Sequence, residues 1–177
     1  MKGKTVFITD AERNFGQPLA QAFAREGANV VTGQCDLGRV DVVVNNILFP
    51  VQPRAFSEVP FELFKRKIEV ELTGSFFLFR AVLPHMIAQR WGRIINFTGP
   101  AAFQGTEALD ASTQRGIIGM TRGIAREYGQ YNITANCIGT DGVESDQTED
   151  VALLAVGLAS EHSAHITGQC ILASSGI

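Results

Sequence analysis

The chain has 177 residues, a formal net charge of −3 at pH 7 and 45% hydrophobic residues, which suits one domain with a sizeable core. The charge argues against nucleic-acid binding and offers no basic patch to a membrane; no apolar run approaches the ~20 residues of a membrane span, and the N-terminus runs straight into a strand with no signal peptide. Cys35, Cys137 and Cys170 are odd in number and lack metal-ligand spacing, which fits buried or reduced thiols and a cytoplasmic home.

Lys4–Thr9 (KTVFIT) is a short β-branched run of the kind buried on both faces of a parallel sheet. After a turn, Phe15–Gly27 carries Leu19, Ala20, Phe23 and Ala24 at helical spacing. Strand, turn and helix in this order open a dinucleotide-binding unit. Asn29–Gly33 and Val40–Asn45 are the next two strand candidates. If both run parallel to the first, the link between them is shorter than the usual crossover of a dozen or more residues. Thr32 to Val42 reaches at most ~33–36 Å, so either the link is taut and free of helix or Val30–Thr32 is not a regular strand.

Phe61–Arg90 is a long helix with Phe64, Ile68, Leu72, Phe76, Phe79, Leu83 and Ile87 at three- and four-residue steps. Phe77, Leu78 and Val82 add a second apolar side, so more than its own sheet must cover it. Pro84 is placed to kink it. Gly92–Gly129 reads as strand, loop and long helix, the helix being Ala111–Gly129. Ile117, Met120, Ile124 and Tyr128 form one stripe of that helix, and Gly116, Gly119 and Gly123 another. Each glycine costs ~1 kcal/mol against Ala in a helix, which close approach of a neighbouring backbone would offset. Asn132–Ile138 is a strand, Gly142–Asp150 a short polar segment, Val151–Ser160 a helix and Thr167–Leu172 the last strand. His85, His162 and His165 are too scattered for a metal site.

The stretch Gly92–Gly129 carries a family resemblance. Arg93-Ile94-Ile95-Asn96 and Gly119-Met120-Thr121-Arg122 are similar to the catalytic strand and helix of the short-chain dehydrogenase/reductase family. The resemblance implies an α/β fold, a Rossmann-like doubly wound parallel sheet in a single domain over residues 1–177. It also implies that the region after the second strand and the substrate lid at Gly142–Asp150 are shortened or absent. In the family the two long helices pack against the same pair from another subunit, and the last strand also serves assembly, which predicts an oligomer.

The family's chemical groups are missing at the matching positions. Its catalytic Asn, Ser, Tyr and Lys fall on Glu71, Gly99, Asp110 and Gln114. Asp is shorter than Tyr and normally ionised, Gln carries no positive charge and Gly no hydroxyl. The nearest bland role for Glu71 is an ion pair with Lys67 at i, i+4. The family's Thr-Gly-x-x-x-Gly-x-Gly loop reads Thr9-Asp10-Ala11-Glu12-Arg13-Asn14-Phe15-Gly16, so Asp10 and Asn14 replace two glycines and only Gly16 remains. Asp10 puts negative charge where cofactor phosphates would sit and can itself cap the helix N–H groups, worth ~0.5–2 kcal/mol. Asn45-Asn46-Ile47-Leu48 stands for Asn-Asn-Ala-Gly, crowding the space beside a cofactor. Thr140-Asp141 stands for Pro-Gly, and Ser174-Ser175-Gly176-Ile177 for the usual Asp-Gly-Gly ending.

Three functions are compatible with this pattern. The first is a catalytically inactive subunit, binding no NAD of its own, that supports an active paralogue in a heterotetramer. The silent subunit of the 2-(hydroxyphenylmethyl)succinyl-CoA dehydrogenase of toluene breakdown is the instance it most resembles; a homo-oligomer is the other assembly. The second is a cofactor-independent enzyme, similar to the halohydrin dehalogenases or acting as a lyase or dehydratase, with Glu71 and Asp110 as acid and base and Thr98 and Glu107 assisting. The third is a small-molecule binding or regulatory protein. The first reading expects no cofactor, no metal and no catalytic residue in this chain.

Overall fold

The computed structural model describes residues 1–141 and 147–174. Its centre is one six-stranded parallel sheet of order β2-β1-β3-β4-β5-β6. The strands are β1 (Thr5–Ile8), β2 (Asn29–Thr32), β3 (Val42–Asn45), β4 (Gly92–Thr98), β5 (Ile133–Asp141) and β6 (Cys170–Ser174). The helices are α1 (Gly16–Arg25), α2 (Phe61–Lys67), α3 (Gly74–Gln89), α4 (Ala101–Gln104), α5 (Ala108–Tyr128) and α6 (Thr148–Ala159). This is the doubly wound α/β arrangement expected from the alternation of apolar strands and helical stripes. Residues 142–146 of the expected short lid, and 175–177 of the C-terminal departure, lie outside the described residues.

Alternate residues of each strand feed two cores. Val6, Ile8, Val42, Val44, Ile95, Phe97 and Ile138 meet α1 and α6 on one face. Phe7, Val43, Ile94, Ile133 and Ala135 meet α3 and α5 on the other. The period-2 pattern of a strand buried on both faces is why these runs read as continuous Val and Ile in sequence. The link from β2 to β3 carries the chain past β1 in residues 33–41 and is not free of helix as expected: it contains one 3₁₀ turn, Leu37–Arg39, and β2 pairs regularly with β1.

Two expected details differ. In α1 the buried residues are Gly16, Leu19, Ala22 and Phe23, and Ala24 is exposed, because the stripe turns by one position to follow the sheet. The long helix Phe61–Arg90 is continuous, but Ile68–Thr73 is a π-helical turn between α2 and α3. Past that turn the face on the sheet is Ser75, Leu78, Phe79, Val82, Leu83 and Met86. Phe76 and Phe77 are left 50% and 59% exposed. The helix continues through Pro84. Against the expectation of no such run, Phe61–Gln89 is long and apolar enough by length and composition alone to cross a membrane; here it packs on the sheet as a core helix.

The N-terminal ends of β1 and β4 are pinned by the chain's single tryptophan. Lys4 Nζ lies 3.8 Å from the centroid of the Trp91 ring and Arg93 Cζ 4.4 Å from it, both within cation–π range. The indole N–H donates to Glu161 Oε1 at 2.6 Å, tying α6's far end to the foot of the sheet. Phe79 fills the opposite core at 3% exposure. Phe79→Ala should cost about 3–5 kcal/mol, read as a lower urea midpoint at unchanged slope.

Candidate active site

The site lies at the C-terminal ends of β1, β3 and β4, where ligands of open parallel sheets bind. A cavity of ≈ 270 Å³ there is lined by Arg13, Asn14, Leu48, Lys67, Gly99, Asp110 and Gln114 among others. Four of the expected site positions, Glu71, Gly99, Asp110 and Gln114, thus line one hollow. Asn14 lines it from the β1–α1 loop; Asp10 and Gly16 lie in that loop outside the lining.

The loop Thr9–Gly16 turns through left-handed backbone at the two positions where glycine is replaced. Asp10 sits at φ 47° and Asn14 at φ 51°, the left-handed region that glycine enters freely and that Asn and Asp tolerate best among other residues. Gly16 keeps its glycine for space, since a Cβ there would lie 2.4 Å from Ala11 Cα. Asn46, fully buried, donates from Nδ2 to Asp10 O at 3.2 Å and Arg13 O at 3.0 Å. Its backbone N–H donates to Thr9 Oγ1 at 2.8 Å. Phe15 stacks on Phe97 at 5.4 Å to start α1. The expected capping by Asp10 does not occur. Its carboxylate stands 3.9 Å from Arg13 Nε, and no side-chain hydrogen bond caps α1. In the first turn of α1, Gly16 N–H donates to Arg13 O at 2.9 Å and Leu19 N–H to Phe15 O at 2.9 Å, and Pro18 has no N–H, which leaves Gln17 N–H to meet an anion.

The positive charge absent at Gln114 is supplied from another element. Lys67, the last residue of α2, is 1% exposed. Its Nζ donates to Glu71 Oε1 and to Phe49 O, both at 2.7 Å. It also makes an ion-pair contact of 2.5 Å with Asp110 Oδ1, outside hydrogen-bond angles. The i, i+4 pair expected for Glu71 therefore forms, but at 2% side-chain exposure for both partners rather than on a solvated face. The π turn is what brings it inside: one extra residue in the turn rotates Glu71 toward β3. Phe49 N–H donates to Glu71 Oε1 at 2.8 Å, while Glu71 Oε2 is buried without a partner among the described residues.

A buried polar chain holds this turn. Ser75 Oγ donates to Glu71 O at 2.5 Å. Asn45 Nδ2 donates to Ser75 Oγ at 2.9 Å and to Asn96 Oδ1 at 3.1 Å. Asn96 Nδ2 donates to Thr121 Oγ1 at 2.9 Å. β3, β4, α3 and α5 are thereby fixed to one another under the cavity. Sequence reasoning missed Ser75, and it read Asn96 and Thr121 only as parts of the family's strand and helix patterns, not as a buried polar link; the available signal was small polar residues inside otherwise apolar elements.

Gly99 and Gln114 complement each other. A Cβ on Gly99 would stand 2.8 Å from Gln114 Nε2, so the longer Gln fills space that a serine would need. Gln114 Oε1 accepts from Ala102 N–H at 3.0 Å. Asp110 lies in the first turn of α5, where a carboxylate suits the helix dipole. Glu107, expected to assist, is exposed at φ 50°. Its carboxyl is held above the ordinary range, first by a hydrogen bond with Asp110, then by burial and Asp110's charge, with Lys67 opposing. Thr98 Oγ1 is buried without a partner among the described residues and does not line the cavity.

A model of the short chain dehydrogenase family matches residues 32–153, and the chain belongs to that family. It is 28% identical over 78% of its length to the 3-oxoacyl-[acyl-carrier-protein] reductase FabG of Aquifex aeolicus, of which the match spans 65%. It is 26% identical over 99% of its length to the (2S)-[(R)-hydroxy(phenyl)methyl]succinyl-CoA dehydrogenase subunit BbsD of Thauera aromatica, covering 87% of that chain. A 3-oxoacyl-[acyl-carrier protein] reductase from Brucella melitensis with bound NAD superposes at a TM-score of 0.86 and 25% identity, with 99% and 91% of the two chains covered.

These matches correct three expectations. The relatives are named as reductases and dehydrogenases, not as inactive subunits, so the readings as a non-enzyme and as a silent partner of an active paralogue are overturned. The cofactor-free expectation, and with it the lyase or dehalogenase alternative, is overturned by a relative holding NAD. The physical reason is visible in the chain. Asp10 and Asn14 stand where glycines were expected and hold the left-handed backbone themselves. Position 114 carries no lysine, but Lys67 stands beside Asp110.

Lys67→Met would strand Glu71 and Asp110 without their cation. A loss of about 3–5 kcal/mol is expected, measured by chemical denaturation, with Lys67→Arg losing less.

Proposed function

We propose that this chain is an NAD(P)-linked oxidoreductase that interconverts a 3-hydroxyacyl and a 3-oxoacyl thioester. The observation that carries the reading is the backbone of Thr9–Gly16, left-handed at Asp10 and Asn14 and closed on Ala11 at Gly16, ending at a helix start that no side chain caps. Such a loop would hold a pyrophosphate on its N–H groups. The names of two relatives support the substrate class: FabG's specifies a 3-oxoacyl group on acyl carrier protein, and BbsD's a CoA ester whose acyl group carries a hydroxymethyl-type branch at its second carbon. A nicotinamide, when bound, supplies or takes the hydride. This chain's part is to shape the pocket with Leu48, Gly99 and Gln114 and to present Asp110 to the reacting oxygen. The three free thiols support a cytoplasmic site of action.

The wild-type chain should enhance NADH or NADPH fluorescence saturably and consume the reduced nucleotide with acetoacetyl-CoA. Gly16→Val should weaken that binding at least about tenfold while far-ultraviolet circular dichroism stays unchanged. A wild-type chain that takes up neither nucleotide overturns the reading.

Assembly with a second copy or a related chain belongs to the same proposal. Phe76, Phe79, Leu83, Met120, Ile124 and Tyr128 line an open groove of ≈ 420 Å³ between α3 and α5. Beside it, a Cβ on Gly119 or Gly123 would meet nothing within 4 Å, so those glycines gain nothing inside this chain. Exposed apolar area of this kind supports an interface. Phe76→Asp with Phe77→Asp should shift the sedimenting species to a monomer, and an unchanged sedimentation coefficient would remove the interface.

A further inference from the structure

The sheet is lopsided about the β1–α1 loop. On one side stand β3 and β4, with the cavity at their C-terminal ends. On the other side stands β2 alone, a four-residue strand that forms the edge of the sheet. A dinucleotide lies across such a crevice as two mononucleotide halves, one to each side of the point where the strand order reverses. In this chain the two sides offer very different walls.

The β2 side is open because of where the chain goes next. Thr32, Gly33 and Gln34 are exposed at the C-terminal end of β2. Gly33 sits at φ 79°, and a Cβ on it would meet nothing within 4 Å. The link then turns away from the crevice. Cys35 and Leu37 pack against the core that α3 and α5 share with the sheet. Asp41 is already back at the foot of β1, where its N–H donates to Thr5 O at 2.9 Å and its Oδ2 accepts from Thr5 N–H at 2.8 Å. Residues 33–41 are used up by this return, so none of them closes over an adenosine beside the loop.

Charge at that end is balanced as well. A carboxylate beside the adenosine ribose selects NAD, and an arginine there accommodates the 2′-phosphate of NADP. The link carries one of each, Asp36 and Arg39, 3.9 Å apart within one turn, and Asp36 Oδ1 accepts from Gly38 N–H at 3.0 Å. Their charges offset each other. Arg13, in the β1–α1 loop, lines the cavity on the β3–β4 side and stands by Asp10. That cavity, at ≈ 270 Å³, falls below the ~300–1,000 Å³ of sites that enclose a whole small molecule, which suits one mononucleotide half.

We propose that this chain recognises its cofactor by the nicotinamide mononucleotide half alone and leaves the adenylate in solvent. NADH, NADPH and reduced nicotinamide mononucleotide are then bound nearly alike. The inference rests on the oxidoreductase reading above. Gln17 N–H at the start of α1 is the donor left for the phosphate, and Leu48, Gly99 and Gln114 wall the cavity beyond it. Selectivity is a difference in contacts. An adenylate that meets no wall adds little affinity, and its 2′-phosphate gives no discrimination.

The test titrates the wild-type chain with each of the three reduced nucleotides, without acyl substrate, by fluorescence enhancement and calorimetry. The Kd values for NADH and NADPH should agree within about threefold, and that for the mononucleotide should lie within about tenfold of them. Adenosine monophosphate should fail to displace NADH. Thr32→Asp, which puts a carboxylate at the exposed end of β2, should leave the NADH-to-NADPH ratio unchanged. A wild-type preference of about tenfold or more for one dinucleotide, or a comparable change of the ratio in Thr32→Asp, overturns the inference. So does displacement of NADH by adenosine monophosphate, or NADH binding with no binding of the mononucleotide. A wild-type chain that binds none of the three overturns the oxidoreductase reading instead.

Discussion

The site depends on one buried ammonium group. Lys67 is almost fully enclosed, and an unpaired charge in that position would cost several kcal/mol. Two carboxylates and a carbonyl satisfy it. Because those partners come from three separate segments, the charge fixes their relative positions: the loop at Phe49, the π turn at Glu71 and the start of α5 at Asp110. A hydrophobic residue of similar volume could fill the same space but would not place Asp110 within reach of the cavity. The polar chain through Ser75, Asn45, Asn96 and Thr121 performs the same service one layer deeper, where it joins two strands to two helices.

Much of the architecture was legible in the letters. Short β-branched runs gave the strands at Thr5–Ile8, Val42–Asn45 and Gly92–Thr98, and three- and four-residue apolar steps gave the helices. The site was legible only as positions. Glu71, Gly99, Asp110 and Gln114 do converge, but their chemistry could not be judged from the residues at aligned places alone. Sequence spacing identified the Lys67–Glu71 pair without its burial, because an inserted residue in a helical turn leaves no mark in apolar periodicity. Backbone φ is equally invisible, so Asp10 and Asn14 read as lost glycines when they are residues able to adopt a glycine's conformation.

Family membership and local chemistry constrain different things here. The match over residues 32–153 fixes the order of strands and helices and the edge of the sheet where ligands gather. It does not dictate which side chain moves a proton. In this chain the cation beside Asp110 comes from the helix before β4, as Lys67 at the end of α2, while position 114 of α5 carries an uncharged Gln. A substitution in one layer is matched by a substitution in the next, as Gln114 occupying the space left by Gly99 illustrates.

The tryptophan at the foot of the sheet has a practical consequence. Trp91 is 8% exposed, flanked by two cations and anchored through its ring nitrogen. It lies a full strand length, ~23 Å for seven residues, from Gly99. Being the sole indole in the chain, it gives an intrinsic optical signal free of overlapping emitters of its kind. Its environment changes from a dry, charge-flanked slot to water when β1 and β4 separate, so its emission wavelength reports disassembly of the sheet's base.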